Sequence, residues 1–375
     1  MKLAYIFNVR LPTEKAHGIQ VMKMCEAFSL NGAKVKLIIP ARFNKISGSP
    51  FDFYSVKKTF SIVRLACLDI LVFINGRFGY LVETLTFLIS ARIYLWLYQL
   101  KNGKPEILYS REELIGLFFK NYFLEIHTLP ARAGFIHKLS WRRAKKLIVL
   151  TKMLKEELVK IGIPEGKILV APDGVDLDIF GIEISKKDAR EKIGLPIDKK
   201  LALYCGSFYL YGWKGVDVLL SAIKYFSPDI TAVLIGGRKE DIEEIKKNYP
   251  QENLILFEHQ PHGQIPYFLK AADVLILPNK KGDPISEKYT SPLKLFEYMA
   301  AKRPIVASDL PSIREVLDEK NSFLVEAGDP KSLAEGIKEV VGDQNFGEKK
   351  SSQAYDRVKG YTWKKRAEKI LEPLL

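Results

Sequence analysis

Short apolar runs alternate with amphipathic segments along the whole chain, and this alternation constrains the fold more than any single motif. Strands buried on both faces are apolar throughout, and helical segments between them predict parallel sheets covered by helices. In the first half Leu3–Asn8, Val35–Pro40, Ile107–Ser110, Phe123–His127, Lys146–Thr151 and Ile168–Pro172 read as strands. Gly18–Asn31, Ala131–Arg143 and Lys152–Ile161 read as the intervening helices. In the second half the strands are Leu201–Ser207, Thr231–Gly236, Leu254–Glu258, Asp273–Pro278, Pro304–Ser308 and Ser322–Val325, with helices such as Val216–Phe226, Asp241–Tyr249 and Ile265–Ala272. A length of 375 residues lets two such units each bury a core. The expected class is α/β, with two doubly wound domains. The turn-rich, charged stretch PDGVDLDIFGIEISKKDAREKIG separates them. Residues 1–172 then form the first domain, 173–194 a linker and 195–360 the second. A helix over 361–375, anchored by Trp363, Ile370 and Leu371, is expected to pack back on the first.

Charge is unevenly placed. Residues 1–180 carry 27 Lys and Arg against 15 Asp and Glu, whereas 181–375 carry 31 against 29. A basic half points to an anionic partner: acidic lipid, nucleic acid or a phosphorylated substrate. No nucleic-acid module and no aromatic-basic interleaving accompanies it, so nucleic acid is set aside. Cys25, Cys67 and Cys205 are widely spaced, fit no metal-ligand pattern and suit a reducing, cytoplasmic compartment. The N-terminal apolar run is too short for a signal peptide, and no uncharged run reaches the roughly 18 residues of a membrane span. The stretch Phe60–Leu100 is unusually apolar and aromatic, interrupted by Arg64, Asp69, Arg77, Glu83 and Arg92. It reads either as a pair of buried helices or as a surface dipping into the bilayer interface, which would place the protein at the inner face of the cell membrane.

Chemistry concentrates in a few places. Tyr289–Asp309, YTSPLKLFEYMAAKRPIVASD, reads as a helix whose N-terminus faces a ligand, followed by a strand. Free N–H groups there suit a diphosphate, and Glu297 can accept from sugar hydroxyls. In LALYCGSFYLYGWKGVDVLL a strand ends at Gly206, and Lys214 sits at the loop–helix junction as a point charge for phosphate. His127 closes the strand FLEIH, on the same strand face as Glu125, which can orient it. Gly18, after His17 at the start of the first long helix, gives a ligand phosphate room to approach the backbone. The loop carrying His259 and His262 can border a nucleotide base or lie on the surface, the latter being preferred for His262, and His137 reads as an ordinary helix-face residue. Asp176-Leu-Asp178 has the two-carboxylate pattern of a metal site. Its place in the presumed linker makes it structural, and no metal site is expected.

In their order, the Gly18 helix, VAPDGVDLDIF, GWKGVDVLL, VLIGG, VLILPN and SPLKLFEYMAAKRPIVASD resemble the retaining glycosyltransferases of family four, which have the GT-B fold. The resemblance runs through most of the chain. It implies two Rossmann-like domains facing a central cleft, an acceptor-binding first domain and a nucleotide-sugar-binding second one. No cofactor or metal is implied beyond a UDP- or GDP-linked donor. Carried over, Lys214, His127 and Glu297 become the catalytic set. Lys214 would neutralise the leaving diphosphate, His127 would contact the transferred sugar and Glu297 would bind the ribose. Gly18, Gly206, Thr290, Ser291, Leu293 and Lys294 would complete the donor site. The acceptor would be a glycan or lipid-linked molecule of cell-envelope or polysaccharide synthesis, met at an anionic membrane surface. Three positions depart from the family pattern. Tyr289 stands where a first glutamate is expected, Pro292 in a frequent glycine position, and Ser207 where an arginine is common. Those departures also admit a non-catalytic, nucleotide-binding scaffold subunit.

Overall fold

The computed structural model describes residues 1–70, 76–208, 210 and 212–372. Residues 71–75 of the Phe60–Leu100 stretch, Tyr209 and Tyr211 of the LALYCGSFYLYGW segment, and 373–375 of the expected C-terminal helix lie outside the described residues. The chain divides into two compact units, Met1–Pro172 with Trp363–Leu375, and Asp173–Thr362.

The first unit is built on a seven-stranded sheet. Its strands are β1 (Lys2–Ile6), β2 (Lys34–Pro40), β3 (Ser61–Leu65), β4 (Ile107–Ser110), β5 (Tyr122–Ile126), β6 (Ala144–Val149) and β7 (Ile168–Val170). They lie in the order β3-β2-β1-β4-β5-β6-β7, and every pairing is parallel. Helix α1 (Ala16–Leu30) buries Val21, Met22, Met24, Cys25 and Phe28. The long helix α2 (Arg77–Asn102) buries Glu83, Phe87, Leu88, Ala91 and Leu95. Among its described residues the Phe60–Leu100 stretch therefore contains an edge strand and one long helix, rather than a pair of buried helices. Phe78, Leu81, Ile89, Ile93, Trp96, Leu97 and Leu100 of α2 face outward. Phe78–Asn102 is long and apolar enough to span a membrane by length and composition, although a third of its most apolar window (33%) is buried in the fold. Glu83 and Thr84 are polar residues buried on this helix, and Arg42 meets the Glu83 carboxylate at 2.9 Å.

The second unit carries a six-stranded parallel sheet: β8 (Lys200–Cys205), β9 (Ile230–Gly237), β10 (Leu254–Glu258), β11 (Val274–Leu277), β12 (Ile305–Ser308) and β13 (Phe323–Val325). The order is β10-β9-β8-β11-β12-β13. Alternation along the strands separates two cores. Leu201, Leu203, Cys205, Val233, Ile235, Leu275 and Leu277 face one side. Ala202, Tyr204, Ala232, Leu234, Val274 and Ile276 face the other. Helix α3 (Val216–Ala222) covers the second face, and α4 (Leu293–Ala300) the first.

The chain ends in α5 (Trp363–Leu371), which belongs to the first unit and packs on α1. Trp363, Ala367, Ile370 and Leu371 supply the apolar contact, and the Asn31 side chain donates to the Lys364 carbonyl at 3.2 Å.

Candidate functional site

Open parallel sheets bind ligands beyond the carboxyl ends of their strands, where the strand order reverses. In the second unit that point lies between β8 and β11. The chain leaves β8 through Gly206, whose φ of 146° suits only glycine. Lys214 is held by its neighbours. Gly215 has φ 69°, and a Cβ on it would lie 1.8 Å from the Pro278 carbonyl oxygen. The Lys280 N–H donates to the Trp213 carbonyl at 2.8 Å, so this loop is clamped to the segment leaving β11. The Lys214 ammonium donates to Ser207 Oγ, and burial pulls its pKa down.

Lys294, in the first turn of α4, brings a second cation to the same turn. Its Nζ lies 4.0 Å from the centroid of the Tyr204 ring and 3.5 Å from where a Cβ on Gly206 would stand. Although the residue as a whole is only partly covered, Nζ is shut off from solvent and meets no hydrogen-bond acceptor among the described residues. Burial, reinforced by Lys214, lowers its pKa to about 7. Burial also pushes the Cys205 thiol up to about 12.

Ser291 and Thr290 are buried beside this helix start: the Asp173 N–H donates to Ser291 Oγ at 3.2 Å, and the Thr290 N–H to the Ile285 carbonyl at 2.9 Å. The first N–H groups of α4, at Leu293 and Lys294, have no acceptor within the helix. Glu297 lies one turn beyond Lys294, with Oε1 3.7 Å from His262 Nε2. His262 itself stands edge-on to Phe180. The surface reading of His262 is thus corrected: the short helical turn after Pro261 brings its ring to Glu297. His259, by contrast, is exposed. Asn279, just past β11, is fully buried with neither amide atom hydrogen-bonded among the described residues, and nothing in the sequence singled it out. Asp176 caps the short helix Leu177–Phe180 by accepting from the Asp178 N–H at 3.1 Å.

In the first unit the order reverses between β1 and β4. Beside that point Glu125 of β5 is fully buried and accepts from Gln20 Nε2 at 2.7 Å, from Arg366 Nη2 at 2.9 Å and from the Tyr109 hydroxyl. Burial alone would raise its pKa, but Arg366, then His127 and Arg111, hold the carboxyl well below the usual range. His127 Nε2 lies 2.6 Å from Glu125 Oε1. Burial and Arg111 lower the His127 pKa to about 4, so the ring is neutral. A neutral imidazole facing a carboxylate must carry its proton on Nε2, which makes Nδ1 an acceptor. Arg111 donates to Gln20 Oε1 at 2.6 Å and lies over the Phe7 ring. Glu125 was anticipated as the orienter of His127; Arg366, Gln20, Tyr109 and Arg111 were not. Gly18 is explained by packing: a Cβ there would lie 2.1 Å from the Tyr54 hydroxyl oxygen, and its N–H already donates to the Lys15 carbonyl at 2.9 Å.

Two Rossmann-like parallel sheets, each with polar groups gathered at its switch point, define the GT-B class. Sucrose-phosphate synthase from Thermosynechococcus elongatus superposes with a TM-score of 0.77 at 19% identity, covering 100% of this chain and 98% of that one. Anabaena HepE in complex with UDP-glucose gives 0.74 at 15% identity, covering 100% and 99%. Residues 185–357 match the family described as glycosyl transferases group 1. Among curated relatives, D-inositol 3-phosphate glycosyltransferase of Xylanimonas cellulosilytica is 27% identical over 240 residues, 60% of this chain and 55% of the relative. The UDP-Gal:alpha-D-GlcNAc-diphosphoundecaprenol alpha-1,3-galactosyltransferase of Escherichia coli is 28% identical over 237 residues, 60% and 58%. The match thus spans a little over half the length of these relatives.

Proposed function

We propose that the chain is a retaining, metal-independent glycosyltransferase that moves a sugar from a UDP- or GDP-linked donor to a glycan or lipid-linked acceptor in cell-envelope or polysaccharide synthesis. The observation that carries this reading is the pairing of Lys214 and Lys294 around the Gly206-Ser207 turn, with Glu297 one turn further along α4. Two cations at one strand end suit a diphosphate, and a carboxylate beyond them suits ribose hydroxyls. Leaving-group departure concentrates charge on the diphosphate, so cations fixed there stabilise the transition state more than the ground state. Thr290 and Ser291 brace the helix start from which the N–H groups of Leu293 and Lys294 point. The neutral His127, with Nδ1 as acceptor, suits a hydroxyl of the transferred sugar. Relatives support the acceptor class: the names of matched proteins include a diphosphoundecaprenol-linked glycan galactosyltransferase and a phosphatidyl-myo-inositol mannosyltransferase.

The outward face of α2 supports a lipid surface as the place of action. Its apolar residues fall on one stripe, Arg92 lies among them, Lys101 and Lys104 stand at its C-terminal end, and the first half is basic. An amphipathic helix of this kind lies in the interface while basic residues meet anionic headgroups.

The test is sugar transfer from a panel of nucleotide sugars to a lipid-phosphate acceptor. Lys214→Ala and Glu297→Ala should each lower turnover by about 10²-fold or more, and unchanged turnover in both would remove the site assignment. Tyr289, in place of a carboxylate, favours the second reading of a nucleotide-binding scaffold. Nucleotide binding with neither transfer nor donor hydrolysis would select it. Flotation with anionic vesicles should be lost in Ile93→Glu/Trp96→Glu; flotation unaffected by that change would remove α2 from the membrane contact.

A further inference from the structure

Lys294 occupies a place where an ammonium is unfavourable until an anion arrives. Its Nζ is closed off from water, has no acceptor among the described residues, and touches the face of Tyr204. A ring face attracts a cation but does not replace the hydrogen bonds a buried ammonium gives up. The groups facing it are Lys214 from the loop after β8, Cys205 and Tyr204 of β8, and Glu297 of its own helix. Burial raises both the Cys205 thiol and the Tyr204 phenol, which stay neutral near pH 7. Lys214 therefore opposes a second positive charge, and Glu297 only partly offsets it.

We propose that donor binding at this cluster is coupled to proton uptake by Lys294: its enclosed amine, without an acceptor among the described residues, takes up a proton from solvent as the diphosphate arrives to accept from it. The inference rests on the reading of the cluster as a diphosphate site. The step is R–NH2 plus a buffer proton giving R–NH3⁺, and no bond of the donor forms or breaks. The diphosphate supplies the acceptor oxygens that Nζ lacks, so the charged form is favoured only in the complex. An arginine would stay charged throughout. Ser207 occupies a position where the resembled family commonly has arginine, and Lys294 delivers its charge beside that same turn.

The amine's starting value of about 7 sets the size of the effect. Uptake should be about half a proton at pH 7 and about 0.9 at pH 8, and affinity should weaken about five-fold over that interval. The experiment is calorimetric titration of the whole chain in buffers of different ionisation enthalpy. The probe is the tightest binder from a panel of UDP-, GDP-, ADP- and dTDP-linked hexoses, whose diphosphates do not titrate in this range. The expected result is uptake that grows from pH 7 to 8 in the wild type and disappears in Lys294→Arg and Lys294→Met. Binding without uptake, or uptake that persists in both variants, overturns the inference and leaves the diphosphate site standing. If no member of the panel binds, the diphosphate reading and this inference fall together.

Discussion

Removing the Arg366 guanidinium should expose how much the first unit depends on its last helix. Arg366 and Glu125 have side chains only 2% and 0% exposed, and their charged atoms lie 2.9 Å apart. Arg366 Nε also donates to the Ala171 and Pro172 carbonyls at 3.2 and 2.9 Å. Arg366→Met keeps much of the side-chain volume but leaves a carboxylate with no cation in direct contact. Breaking such a pair from one side costs about 3–5 kcal/mol. Gln20, Tyr109 and His127 still contact Glu125, which places the expected loss near the lower end, about 3 kcal/mol at pH 7.5. The pH dependence carries the sign. In the wild type the folded Glu125 pKa is depressed, so its stabilisation holds above the unfolded value and fades as pH falls through the folded one. In Arg366→Met burial dominates and raises the folded pKa, so stability is retained at low pH and lost as pH rises through that value. The two curves should converge toward about pH 4 and separate toward neutrality. Native-state hydrogen exchange at the β5 amides reads the opening free energy of this unit apart from the other. Arg366→Met/Glu125→Gln should recover most of the loss. A deficit under 1 kcal/mol that is flat between pH 5 and 8, or a double variant no better than the single, would refute the reasoning.

Three further outcomes follow from the site geometry. Long-range ¹H–¹⁵N spectra should show His127 as the Nε2–H tautomer from pH 8 to below pH 5, since burial and Arg111 hold its pKa at about 4; titration above pH 6 would contradict the assignment. Lys294→Met should raise the thermal midpoint of the unliganded protein. Between about pH 7 and the ordinary lysine range the unfolded chain binds the extra proton, so the advantage should be largest below pH 7 and shrink as pH rises. Gly215→Ala would place a Cβ 1.8 Å from the Pro278 carbonyl oxygen and force alanine to φ 69°. It should lose more than about 1 kcal/mol of stability and weaken donor binding, with the His127 resonances unchanged.

The sheets were legible because parallel strands buried on both faces leave unbroken apolar runs, as in LALYC and VLIL. Strand β3 escaped because SIVRL lies at the sheet edge, where its charged and polar residues break the run. Lys214, Lys294 and Glu297 were visible because each is tied to a helix start in continuous sequence. The Glu125 network was only half visible. Glu125 and His127 are two apart on one strand, whereas Arg366 is 241 residues from Glu125 and joins it only when α5 folds back. His262 and Asn279 gave no local signal, because packing alone decides what a short turn or strand-end amide faces.

The two polar clusters are built to opposite electrostatic rules, and that difference fits their proposed tasks. The first unit buries an anion and satisfies it from several sides, so Glu125 has few alternatives and fixes the ring it touches. A saturated network of this kind is rigid, and its product is orientation: a neutral His127 with one defined acceptor nitrogen. The second unit buries an amine and, among the described residues, leaves it without an acceptor. An unsatisfied charge contributes nothing to folding and stores a deficit that only a suitable ligand removes. Exchanging the two arrangements would defeat both. A fully bonded Lys294 would have no donor left for a phosphate oxygen, and an unpaired Glu125 would protonate and release His127 from its tautomer. Stability measured without donor should therefore rise when Lys294 is neutralised and fall when Arg366 alone is neutralised.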